Sequence, residues 1–221
     1  MFDADSYMQS LQHMLKEHFE DRLVYVGLQG SYLRNEATES SDIDPMVVIE
    51  NISPKDLDVY KGIVVGLEYP EKSCGFLCGK EELAKWNPLE ICHLLHGTKD
   101  YYGVLSELVP SYTREDVCTF IKLSVNNLLH EITHRYVHRT LEHNEKGIVR
   151  SYKSVFFILQ SICYLECGKF PWTKAELLPM LSGKDARVLE TTMALQEGKS
   201  FSFPYLFDLL FGWCQEMIIR L

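Results

Sequence analysis

The first half of the chain mixes short apolar runs with amphipathic stretches, and this pattern predicts strands interleaved with helices. Residues 4–20 carry apolar side chains at helical spacing, which predicts an amphipathic first helix. The elements predicted after it are a strand at 23–28, a short helix after Gly30-Ser31, a strand from near residue 42, a helix from Ser53-Pro54, a strand at 74–78, a helix at 81–95 despite Pro88, and a strand or turn at 98–103. This part of the chain therefore predicts a small mixed β-sheet with helices around it.

From residue 111 onward the apolar spacing is helical. The predicted helices cover residues 113–142, 149–167, 173–182, 184–197 and 202–220. Thr113 and Asp116 have the spacing of a capping box, in which each side chain binds the other residue's backbone N–H. The sequence thus predicts an α+β protein with two domains: residues 1–108 contain the small mixed sheet, and residues 109–221 form a C-terminal all-α helical bundle.

Composition places the chain among ordinary globular proteins. Its 221 residues are 46% hydrophobic and 24% charged. No apolar run is long enough for a transmembrane helix, and the acidic start is unlike a signal peptide, so we expect a cytoplasmic protein without a membrane partner. The seven cysteines contain no C-x-x-C pair, which argues against both a disulfide framework and a zinc ribbon.

The charge balance narrows the choice of partners. The chain has 22 basic and 31 acidic residues, which gives a net charge of −9. Binding to a nucleic-acid backbone depends on basic contacts, so a nucleic-acid partner is not expected. An acidic chain is better suited to a small, cationic partner.

Candidate chemistry is concentrated between the first two predicted strands. Gly30-Ser31 follows the first apolar run, and Asp42-Ile43-Asp44 begins the second. In an extended strand the two carboxylates point to one face while Ile43 points to the other. Hard cations such as Mg²⁺ prefer such oxygen ligands together with substrate phosphates. The Gly-Ser turn adds backbone N–H groups and a hydroxyl that phosphate oxygens can approach closely.

These residues resemble the signature of the nucleotidyltransferases of the DNA polymerase β type, which is Gly-Ser, a spacer and Asp-x-Asp. The spacer, GSYLRNEAT from Gly30, is similar to the form G-S-x-A-R-G-x-A-T of the minimal and antibiotic-modifying branches. Asn35 replaces a glycine there, which is reasonable because Asn tolerates left-handed backbone. Pro45 replaces a large apolar residue. Proline in a sheet is confined to edges, first positions and bulges.

The resemblance implies a function. An enzyme of this family would transfer a nucleoside monophosphate, here AMP from ATP or another nucleoside triphosphate, to a hydroxyl of a small-molecule acceptor such as an aminoglycoside-like antibiotic. Asp42 and Asp44 would bind Mg²⁺, and Gly30 and Ser31 would bind the outer phosphates. A lysine of the helical domain would cap the phosphates. Lys153, near a predicted helix start, is the candidate, although a solvated surface lysine fits equally well.

One expected residue is missing. The family carries a third carboxylate on the next strand as a metal ligand or general base, but the predicted strand from Ser73 to Gly79 reads SCGFLCG. The acids nearby in sequence are Glu68, Glu71, Glu81, Glu82 and Asp100. Two explanations remain open: the helical domain supplies the base, or the protein is a catalytically weak or inactive nucleotide-binding regulator of the antitoxin kind.

A rival motif begins at His130, where the sequence HEITH matches H-E-x-x-H on a predicted helix. His130 and His134 would share one helix face and could bind Zn²⁺ while Glu131 acts on water, as in a zinc hydrolase. A third ligand is needed, and His138 lies about 12 Å along the helix from His130; Glu166 is an alternative. We consider the HEITH motif better explained as a helix face that lines a cleft, with Glu131 as the missing base, or as a structural helix face.

Overall fold

The computed structural model describes residues 2–221, which form two compact units that meet in sequence between Tyr112 and Thr113. The first unit contains, in chain order, α1 (Ala4–Phe19), β1 (Leu23–Gln29), α2 (Gly30–Leu33), β2 (Asp44–Ile49), α3 (Pro54–Gly66), β3 (Phe76–Gly79), α4 (Lys80–Leu83), α5 (Pro88–His96) and β4 (Lys99–Tyr102). The strand order is β3-β2-β1-β4. β1 is antiparallel to β2 and β4, and β2 is parallel to β3, so the sheet is mixed as the sequence predicts.

The two central strands of the first unit, β1 and β2, are buried on both faces because they carry apolar side chains on both. Val26 and Val47 face α1, whose buried stripe includes Leu11 and Leu15. A second core cluster contains Tyr25 of β1, Met46 and Val48 of β2, and Leu83 of α4. This packing fixes the ends of β1 and β2, which border the loop carrying the candidate chemistry.

The prediction of a single helix at 81–95 is wrong, because the structure has two helices there. α4 ends at Leu83, and α5 begins only at Pro88. The residue before a proline is disfavoured in helical conformation, and Asn87 has extended backbone and caps α5 by accepting a hydrogen bond from the Leu89 N–H. Pro88 occupies the first helical position, where its missing N–H costs nothing.

The second unit consists of α6 (Arg114–His138), α7 (Leu141–Ser151), α8 (Lys153–Cys167), α9 (Lys174–Leu177), α10 (Gly183–Gln196) and α11 (Phe203–Arg220). The predicted capping box at Thr113 and Asp116 is confirmed. The structure has three helices where the sequence predicts two, at 113–142 and 149–167. The first helix ends at His138 because Arg139 takes extended backbone, and Thr140 caps a new helix. Trp213, Tyr152 and Phe156 are among the largest buried side chains of this unit.

Within residues 2–221, no helix is both long and apolar enough to cross a membrane. All seven cysteines are free thiols.

Candidate active site

Gly30, the first residue of the Gly-Ser turn, packs against Asp44 of the acidic motif. It follows the last residue of β1 with φ +76°, a left-handed conformation that favours glycine. A Cβ on this residue would lie 1.8 Å from Oδ2 of Asp44. The Asp44 carboxylate is therefore packed directly against the Gly30 backbone, and any side chain at position 30 would displace it.

Asp42 and Asp44 flank a residue that anchors the start of β2. Ile43 is fully buried, whereas Asp42 is exposed and Asp44 is half-buried. The Ile43 N–H donates to the Lys72 carbonyl at 2.8 Å, and the Ile43 carbonyl accepts from the Cys74 N–H at 2.9 Å. Because Ile43 faces the core, the two acids at its sides project in the opposite direction.

The electrostatics of this pair favour a bound cation. Burial raises the pKa of Asp44, the neighbouring Asp42 carboxylate raises it further, and Arg34 opposes both effects. In the part of the chain that the structure describes, neither carboxylate has a hydrogen-bond or ion-pair partner. Two unpaired carboxylates beside a glycine turn suit Mg²⁺, which accepts one or two protein carboxylates and completes its shell with water and phosphate.

The spacer loop is held in one conformation by local contacts. Asn35 has φ +55°, the left-handed geometry expected of the residue that replaces glycine. Lys72 donates from Nζ to the Glu39 carbonyl at 2.7 Å and to the Ser41 carbonyl at 3.1 Å. These bonds attach the loop before Asp42 to the segment that leads into β3.

Pro45 is accommodated inside the sheet through a gap in one ladder. It pairs with Leu28 on the antiparallel side, while on the parallel side the Ile43–Ser73 bridge and the Met46–Phe76 pair flank it. Proline lacks the N–H that would continue the parallel ladder. Gly75 fills the position opposite, where a Cβ would meet the Pro45 carbonyl oxygen at 2.3 Å. The strand keeps its register across the proline.

The pairing of β2 with the segment before β3 shows which residues lie where the family has its third carboxylate. The Ile43–Ser73 and Met46–Phe76 pairs put Cys74 beside Asp44 and Lys72 beside Asp42. Neither side chain is a carboxylate. Of the acids near in sequence, Asp100 lies on β4 and accepts a hydrogen bond from the Tyr25 hydroxyl at 2.5 Å. β4 borders β1 on the side away from β2.

Two predicted site residues belong to the second unit. Glu131 Oε1 accepts hydrogen bonds from Arg135 at 2.5 Å and from the Ser151 hydroxyl at 3.1 Å, so its carboxylate is already engaged. Lys153 is the exposed first residue of α8. Lys174 is a further lysine of this unit: its side chain is only 7% exposed, and its Nζ lies 4.8 Å from the Phe156 ring centroid. Its burial has no signal in the local sequence.

The zinc hydrolase hypothesis is not favoured. The rings of His130 and His134 are 5.8 Å apart between centroids, and those of His134 and His138 are 4.7 Å apart. Among residues 2–221, however, no group of three or more His, Cys, Asp or Glu side chains could hold a metal ion. Glu131 also points into its ion pair with Arg135 rather than standing free for a water molecule.

The small mixed sheet in the N-terminal part and the helices after it match a nucleotidyltransferase-like α+β fold. The chain is similar in structure to the spectinomycin adenyltransferase AAD(9) from Enterococcus faecialis, which was solved with ATP and spectinomycin. The TM-score is 0.60 at 15% identity, over 98% of this chain and 100% of that one. No family model and no curated protein matches the sequence. The predicted fold class and the resemblance to the aminoglycoside branch are thereby confirmed at the level of fold.

Proposed function

We propose that this protein is a Mg²⁺-dependent nucleotidyltransferase of the cytoplasm, which transfers AMP from ATP to a hydroxyl of a small-molecule acceptor. The observation that carries this proposal is the Asp44 carboxylate, packed on Gly30, beside Asp42 and without a partner among the described residues. The similar adenyltransferase was solved with ATP and spectinomycin, which supports ATP as the donor and a small molecule, such as an aminoglycoside-like antibiotic, as the acceptor.

In this proposal the two acids bind the metal and the glycine turn binds phosphate. Mg²⁺ on Asp42 and Asp44 would supply charge neutralisation for the triphosphate. The backbone N–H groups around Gly30 and the Ser31 hydroxyl would hold the outer phosphate oxygens, since no side chain at position 30 blocks their approach. The turn thereby orients the α-phosphorus for attack.

The reaction forms one bond and breaks one. The acceptor oxygen attacks the α-phosphorus, the bond from that phosphorus to the bridging oxygen breaks, and pyrophosphate leaves with both electrons of that bond. The acceptor proton passes to a base. Glu131 remains a predicted base and Lys153 a predicted phosphate ligand; the hydrogen bonds from Arg135 and Ser151 to Glu131 argue against the first role.

Pyrophosphate release tests the proposal. Purified protein is incubated with ATP, Mg²⁺ and a panel of aminoglycoside-like acceptors, and ATP binding is measured by calorimetry with Mg²⁺ and with EDTA. We expect metal-dependent binding and acceptor-dependent release, with turnover lowered at least about 100-fold in Asp44→Asn because the metal loses a charged ligand. Asp58→Asn, at an exposed position of α3, is the matched control and should behave like the wild type.

Two outcomes would overturn the assignment. Full turnover in Asp44→Asn would remove these acids from catalysis. Metal-dependent ATP binding without pyrophosphate release for any acceptor would instead support the regulator hypothesis.

A further inference from the structure

An open groove of about 340 Å³ lies on the second unit where α6 ends and α7 begins. The side chains that line it are His130, Glu131, His134, Arg135, Arg139 and His143. All but Glu131 are basic or become so on protonation, although the chain as a whole carries −9. The volume is within the range of small-ligand sites.

The acid in the lining is neutralised by its neighbours. Glu131 pairs with Arg135, which also donates from Nη2 to the Ser151 hydroxyl at 2.7 Å. The Arg135 side chain is only 12% exposed. α7 can approach it closely because Gly147 has no side chain: a Cβ there would lie 2.4 Å from Arg135 Nε. The Glu131–Arg135 ion pair therefore adds no net charge to the lining of the groove.

Two side chains that line the groove, Arg139 and His143, have hydrogen-bond donors with no acceptor among residues 2–221. Arg139 takes extended backbone between the two helices, and its guanidinium has no hydrogen-bond or ion-pair partner among residues 2–221. The imidazole of His143, one turn into α7, is likewise unpaired within that range. A guanidinium presents planar paired donors that match the oxygens of a phosphate.

We propose that this groove binds the oxyanion of a small phosphorylated ligand, with Arg139 as the main donor and His134 and His143 at its sides. The donors come from three segments that line one groove: α6, the connection and α7. That arrangement suits a tetrahedral phosphate group better than a planar carboxylate, which one arginine can satisfy alone. The proposal does not depend on the function assigned to Asp42 and Asp44.

The test uses pyrophosphate as the probe, in buffer containing EDTA so that a metal site in the first unit does not contribute. Binding is followed by calorimetry and by the histidine ring signals in ¹H–¹⁵N spectra. We expect the signals of His134 and His143 to shift, and Arg139→Gln to weaken binding about tenfold because a hydrogen bond between charged groups is lost. Lys146→Gln removes the same charge from α7 outside the lining and should change the affinity less than about twofold.

Further variants separate this site from others. Binding should persist in Asp44→Asn, and glycerol phosphate should compete with pyrophosphate as a phosphorylated small molecule would. The proposal fails if the wild type does not bind pyrophosphate, if Arg139→Gln and Lys146→Gln lose affinity equally, or if Asp44→Asn abolishes binding. Since Arg139 is exposed, unchanged circular dichroism of the variant confirms that its fold is intact.

Discussion

The start of β2 and the C-terminal half of α6 each contain candidate acidic residues, and the carboxylates at these two places have opposite surroundings. Asp42 and Asp44 lie together without a partner among the described residues, and the pKa of Asp44 is raised by burial and by Asp42. Glu131 is held by Arg135 and Ser151. The comparison teaches that spacing in sequence selects candidate acids, whereas the groups around each carboxylate decide whether it is available for a metal or a proton.

The largest expected effect comes from Gly30→Ala, which tests the packing at the first motif. The new methyl group would occupy the place of the Asp44 carboxylate, and φ +76° adds strain. A displacement of a catalytic group by about 1 Å lowers turnover about 100-fold, and we expect at least that loss in pyrophosphate release. Gly62→Ala, with open space around its Cβ, is the control and should leave activity unchanged. Full activity in Gly30→Ala would show that Asp44 is not positioned by this glycine.

Gly147→Ala tests the packing at the second motif. Its Cβ would collide with the Arg135 side chain, so we expect a loss of about 1–2 kcal/mol in the free energy of unfolding, measured by urea denaturation. Arg135→Ala in the same chain should relieve the collision, and the two effects should therefore be non-additive. Additive effects would mean that the two residues do not restrain each other.

A smaller effect is expected on the stability of the metal-free protein. Because the folded state raises the Asp44 pKa, the ionised carboxyl destabilises the fold above that pKa, and the penalty disappears as the pH falls below the unfolded-state value. Asp44→Asn should therefore stabilise the protein at pH 7 in EDTA by about 1 kcal/mol, with no gain at pH 3. Thermal unfolding at both pH values measures this. An unchanged melting temperature at pH 7 would show that neither burial nor the Asp42 carboxylate penalises the ionised Asp44.

The smallest expected effect is that of Glu131→Gln, which decides the comparison directly. If the contacts of Glu131 are structural, turnover should stay within about threefold, and the loss of stability should be below about 1 kcal/mol because the side chain is half exposed. Kinetics with saturating ATP and acceptor provide the measurement. A 100-fold fall in turnover with unchanged ATP binding would identify Glu131 as the base and remove the contrast between the regions.

Features encoded within a few adjacent residues could be predicted from the sequence. The capping box at Thr113 and Asp116 and the left-handed Asn35 depend only on local backbone chemistry. The strands of the first unit follow the apolar periodicity for the same reason. The break at Arg139 lacks both Gly and Pro, and Thr140 is the only local sign of the new helix.

Features that depend on pairing between distant elements could not be predicted. The neighbour of Asp44 in the segment before β3 is set by the pairing of that segment with β2, and the partners of Glu131 include Ser151 on α7. The burial of Lys174 likewise depends on α8, which supplies Phe156. Sequence spacing contains no measure of these contacts, so the candidate chemistry was predictable and its surroundings were not.

The register that puts Cys74 beside Asp44 makes the proposed active site open to direct observation. Cys74 is an exposed thiol in the segment that leads into β3, next to the acid pair, so a fluorophore attached there would lie at the edge of the proposed reaction site. Cys167 is the other exposed thiol of the described chain and would first be replaced by serine. The labelled protein would then report the arrival of nucleotide in real time, before any acceptor is known.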